Sequence, residues 1–201
     1  SGAIDDQVKM DKFFDENSRK RAIFSSQNFE NGSGRWLPWG LLYRLIRENE
    51  FEDVNDTVDK IEAVWASYHD PQEYSLSGFQ NLYLSNIIRL YTYAHQETAF
   101  YEAKNGKYNP AVLHIKKAKQ LSPQDADSYL ILAQILIREK KCGDADSEID
   151  SVLSYDNNNV GAAFLNYFNY ADCYQNEKKA NEFLKIYENL LKSQETPLKK
   201  L

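Results

Sequence analysis

Residues 92–125 read TYAHQETAFYEAKNGKYNPAVLHIKKAKQLSPQD, a 34-residue stretch in which small residues recur at regular spacing. Ala99, Ala111 and Ala118 occupy its eighth, twentieth and twenty-seventh positions. Two antiparallel helices approach closely only where a small side chain faces a large one, so this recurrence predicts a helical hairpin. Gly106 lies where the first helix should end, and Pro123 follows the second.

The same spacing continues toward the C-terminus. In residues 126–159, Ala133 and Ala145 take the eighth and twentieth positions, and residues 160–193 repeat the pattern in a degenerate form. A helix-turn-helix period of this length with these small residues resembles the tetratricopeptide repeat. The resemblance covers residues 92–193 and implies antiparallel helical hairpins stacked as a short right-handed solenoid.

The rest of the chain is predicted to be helical or polar. We interpret residues 1–35 as a polar N-terminal arm with one modest helix, and residues 194–201 as a basic C-terminal tail. Residues 36–91 are predicted to form a helical cap or a divergent hairpin repeat, with a helix that begins at Trp36. The predicted fold class is therefore all-α.

Composition supports helices and excludes several partners. The chain has 14 Tyr and 10 Phe but only 8 Gly and 5 Pro, which favours helices packed through aromatic rings. Its net charge of -6 argues against nucleic acid, whose phosphates attract Lys and Arg. No stretch is apolar enough for a transmembrane segment. The sequence begins without Met, which leaves a cytoplasmic protein and an exported protein without its signal peptide as alternatives.

No motif for chemistry is present, so we expect no catalysis, no cofactor and no metal. The sequence lacks a nucleophile elbow, a phosphate-binding loop and the spacing of a zinc or calcium site. Cys142 and Cys173 are predicted to lie at the same end of the helical stack, and we expect both as reduced thiols. Trp36 and Trp39 could pack onto the first hairpin or stack on a sugar or peptide.

The resemblance implies a non-catalytic protein-binding module, an adaptor or chaperone-like scaffold that holds a protein or peptide segment. In this family, the first helices of successive repeats line a groove. The matching positions are Tyr93, Gln96, Phe100, Leu130, Gln134, Ile137, Phe164 and Phe168. The N-terminal arm or the cap helices could instead fill this groove. A subunit of a permanent complex, or an enzyme with residues assembled from distant helices, stays an alternative.

Overall fold

A computed structural model describes residues 2–18, 22–27, 34–47, 53–69, 71 and 82–195. This part of the chain is mostly helical, with eight α-helices and three short strands. The chain divides into two compact units, Ser1–Lys107 and Tyr108–Leu201. Among the described helices, none is both long and apolar enough to cross a membrane. Most of the predicted basic tail lies outside the described residues.

A small antiparallel sheet lies where the sequence predicted the start of a helix. Strands β1 (Phe24–Ser25), β2 (Arg35–Trp39) and β3 (Leu42–Ile46) pair in the order β1-β3-β2. The helix predicted from Trp36 is therefore wrong. Pro38 cannot donate a backbone hydrogen bond, and its strand β2 lies at the sheet edge, where proline is tolerated.

Three helices complete the first unit. They are α1 (Gly2–Ser18), α2 (Val54–Trp65) and α3 (Leu82–Lys104). The modest helix expected in the N-terminal arm is confirmed as α1. Phe14 of α1 packs edge-on against Trp36 of β2, with ring centroids 5.3 Å apart.

A second apolar cluster joins α2 to α3. Ile61 and Trp65 of α2 are buried with Ala94 of α3. The Trp65 ring stacks on His95 at 3.9 Å, and its indole Nε1 donates a hydrogen bond to Thr98 Oγ1 at 3.1 Å. This polar partner satisfies the one donor that burial of the indole would otherwise leave unpaired. α3 is thereby fixed against α2 along its middle turns.

The second unit is a run of helices. They are α4 (Tyr108–Leu121), α5 (Ala126–Arg138), α6 (Cys142–Leu153), α7 (Val160–Phe168) and α8 (Glu177–Glu195). Each helix packs against the next, and α5 also contacts α7. α5 begins at Ala126 and α7 at Val160, the first residues of the stretches 126–159 and 160–193. Ala111, Ala118, Ala133 and Ala145 have no solvent exposure.

The helices of the second unit begin in different ways. α5 is capped by Asp125, whose side chain accepts a hydrogen bond from the backbone N–H of Ser128. α6 begins before Gly143, and Lys140, at φ 60°, takes the left-handed position in the preceding turn. A single sequence contains several candidate capping side chains, and the choice among them depends on tertiary packing.

The two cysteines form a disulfide, which contradicts the expectation of reduced thiols. Cys142 begins α6, and Cys173 ends the short π-helical segment Asn169–Cys173 that continues α7. Their Cα atoms are 5.6 Å apart, within the range that a disulfide needs. The fully buried Asn169 donates from its side-chain amide to the carbonyl oxygen of Cys142 at 3.0 Å. The π-helical turn shifts the register of the helix, and repeat spacing does not predict such a shift.

Candidate protein-binding surfaces

On α3, the predicted groove residues fall on two different faces. Tyr93 is 51% exposed and Phe100 is 50% exposed. Gln96 is buried at 7% and follows the inward face that includes Ala99. The side-chain amide of Gln96 is therefore not available at the surface. Each step of one residue along a helix turns the side chain by about 100°, and Gln96 lies on the buried side of α3.

The two exposed aromatic residues belong to a longer apolar line. Ile87 and Leu90 are 45% and 44% exposed and precede Tyr93 at intervals of three residues. Residues three and four apart are neighbours on a helix surface, so Ile87, Leu90 and Tyr93 form a continuous line that turns by about 60° around the helix at each step, and Phe100 lies about two turns beyond Tyr93. We call Ile87, Leu90, Tyr93 and Phe100 the α3 stripe. Its first two members precede the repeat, which is why the groove positions of the family did not include them.

A polar group lies within the α3 stripe. Glu97 is half-buried, and its carboxylate Oε2 accepts a hydrogen bond from the Tyr43 hydroxyl at 3.0 Å. The hydroxyl oxygens of Tyr43 and Tyr93 are 3.3 Å apart. Burial first, and then Tyr93 and Glu97, raise the pKa of Tyr43 well above its usual range. Tyr43 therefore stays protonated and keeps its donor for Glu97. Tyr43 lies on β3, which the sequence had predicted to be helical.

In the second unit, the predicted groove residues of α5 are more buried than expected. Leu130 and Gln134 are half-buried, and Ile137 is buried at 7%. A Cβ atom added to Gly161 would lie 2.9 Å from Leu130 Cδ1, so α5 and α7 approach closely at this point. Leu130 consequently combines a packing role with partial access to solvent, whereas Ile137 is part of the interior.

On α7, the predicted residues form an aromatic cluster at the surface. Phe164 is 39% exposed, and its ring lies edge-on to that of Phe168 with centroids 4.8 Å apart. Tyr187 of α8 contacts Phe164 with centroids 5.1 Å apart. These contacts hold the Phe164 ring in place while leaving part of it open to solvent.

The two tryptophans suggested for ligand stacking are engaged in the fold. Trp36 is buried at 7%. Trp39 is half-buried and packs against the cluster of Ile61, Trp65 and Ala94, and the guanidinium of Arg44 lies 4.7 Å from its ring centroid. Packing onto the first unit is therefore the role that the structure shows for both rings.

One carboxylate has strongly perturbed chemistry, the feature that would favour an enzyme. Glu102 has no solvent exposure. Burial is the largest cause that raises the pKa of Glu102 from 4.5 to about 9, and the hydrogen bond with Glu62 and the charge of Glu62 raise it further. Neither oxygen accepts a hydrogen bond from an N–H or hydroxyl donor of the described residues. A substrate cannot touch a side chain that solvent does not reach, so the perturbed pKa reflects burial of a carboxyl pair.

No protein-family model matches the chain. No curated protein matches it either.

Proposed function

We propose that the chain is a non-catalytic protein-binding module, an adaptor or chaperone-like scaffold that holds a protein or peptide segment. The observation that supports this proposal is the α3 stripe, where four large apolar side chains along one helix are each 44–51% exposed. Contiguous apolar surface of this kind usually marks an interaction site, and aromatic residues contribute a large share of binding energy. The half-exposed Phe164 of the second unit adds a further aromatic anchor.

Replacing one stripe residue tests the proposal. Twelve-residue peptides are first selected from a phage-displayed library against the immobilised chain, and their affinities are measured by fluorescence polarisation. We expect Phe100→Ala to weaken binding by about tenfold, because truncation of an aromatic anchor removes buried contact area. Since Phe100 is half exposed, we expect the melting temperature to change little.

Two further variants give that experiment its controls. Leu113 on α4 is 66% exposed and lies outside the α3 stripe, so Leu113→Ala should leave binding unchanged. Leu130→Ala should instead lower the free energy of unfolding by about 2 kcal/mol, because Leu130 packs against the core of the second unit. Equal binding by the wild type and Phe100→Ala would contradict the proposal. A stable multimer at all concentrations would favour the permanent-complex alternative.

For the compartment, we propose the exported alternative. The support is the Cys142–Cys173 bond, since structural disulfides persist in oxidising environments and are rare in the cytosol. Thiol titration of the natively produced protein under denaturing, non-reducing conditions should find no free thiol. Finding two would place the chain in a reducing compartment.

A further inference from the structure

Glu97 is a charge in the middle of an apolar surface. It follows Tyr93 by four residues and precedes Phe100 by three, so all three side chains lie on one face of α3. Its Oε2 atom accepts from the Tyr43 hydroxyl at 3.0 Å. The ion pairs found among the described residues do not include Glu97. Among the described residues, the carboxylate therefore has a neutral hydroxyl donor and no cation within ion-pair distance.

Covering this surface with an apolar partner would cost free energy. A carboxylate that loses water needs a compensating charge or strong donors, and one hydroxyl group replaces only part of its hydration. A Lys or Arg of the partner would supply a charge-assisted hydrogen bond at this point. The exposed Tyr93 ring beside Glu97 offers the same cation a favourable aromatic face.

Apolar contacts flank this position on both sides. Ile87 and Leu90 lie toward the N-terminal end of α3, and Phe100 lies toward its C-terminal end. An occupant that matches the stripe therefore needs apolar groups, then a cation, then an apolar group. The net charge of -6 adds a general attraction for basic segments.

We infer that the α3 stripe binds a peptide segment with one Lys or Arg between apolar residues, and that Glu97 selects its basic residue. This inference depends on the proposed function and identifies the chemical class of its partner. Tyr43 acts as a positioning residue, because its hydroxyl holds one carboxylate oxygen and leaves the other for the partner.

The experiment compares peptide selection on three forms of the full chain: wild type, Glu97→Gln, and Tyr93→Ser/Phe100→Ser. Twelve-residue phage-displayed peptides that bind the wild type but not the double variant are retained. We expect them to contain Lys or Arg between apolar residues. Peptides selected on Glu97→Gln should keep the apolar residues and lose the preference for a basic one.

Affinity measurements then assign the effect to one pair of groups. A fluorescein-labelled wild-type-selected peptide should bind Glu97→Gln about tenfold more weakly, since a desolvated charged hydrogen bond is lost. Replacing the basic residue of the peptide by norleucine should weaken binding to the wild type but not to Glu97→Gln. Glu188→Gln, an exposed change on α8, is the matched control and should bind normally. Circular dichroism melting curves verify that each variant is folded.

The outcomes separate the two proposals. Stripe-dependent peptides without a basic residue, or equal affinities for the wild type and Glu97→Gln, would overturn the inference and leave the proposed function intact. Finding no stripe-dependent peptide would overturn both. Stripe-dependent self-association of the chain at the concentrations used would identify a second copy as the occupant and overturn the inference.

Discussion

Among single side chains, Glu102 couples folding to pH. In the folded chain its pKa is raised from 4.5 to about 9, so the folded state keeps a proton that the unfolded state loses between these values. The free energy of unfolding should therefore fall as pH rises through this window, by about 1.4 kcal/mol per pH unit for one proton. Urea unfolding between pH 5 and pH 9 measures this slope.

Glu102→Gln removes the titrating group and keeps nearly the same shape. We expect the variant to lose most of the slope and to be more stable than the wild type at the alkaline end, where the wild type must bury a charged carboxylate. Glu188→Gln, which changes an exposed carboxylate, should retain the slope of the wild type. A wild-type stability that does not change between pH 5 and pH 9 would contradict this account.

At the scale of single elements, Gly40 shows why residues 35–46 form a hairpin of strands. It connects β2 to β3 at φ +67°, a conformation that side chains disfavour, and a Cβ atom there would lie 2.4 Å from the Tyr68 ring. We expect Gly40→Ala to lower the free energy of unfolding by about 3 kcal/mol, from backbone strain and overpacking together.

Gly106 provides the matched comparison for Gly40. It has a similar φ of +75°, but a Cβ atom added there would meet nothing within 4 Å. Gly106→Ala should therefore show only the strain, about 1 kcal/mol. Urea denaturation of both variants measures the difference, and equal losses would show that the contact with Tyr68 has no energetic effect.

The helices were predictable from the sequence, but the strands were not. Small residues at repeat spacing predicted α4 to α6 because each is fully buried where two helices approach. Leu41, Leu42, Leu45 and Ile46 fit a helical period, yet Tyr43 and Leu45 alternate inward in β3. A short apolar run is compatible with the period of a helix and with the period of a strand. In this chain the packing of α1 on the sheet favours the strand.

At the scale of the whole molecule, the candidate site was predicted only in part. The exposed aromatic positions Tyr93, Phe100 and Phe164 follow from repeat spacing. Glu97 and Tyr43 were missed because their contact joins residues 54 positions apart. A single sequence contains no signal for such a pairing. The pairing depends on strand β3, whose apolar residues also fit a helical period.

The disulfide also acts on the chain when it is not folded. It joins residues 31 positions apart, so the unfolded polypeptide contains a closed ring that includes all of α6 and α7. A ring has fewer conformations than an open chain. On the chain-entropy model, a ring of this size destabilises the unfolded state by about 3.7 kcal/mol. While this bond stays intact, the two ends of the ring remain joined even when the helices between them are unfolded.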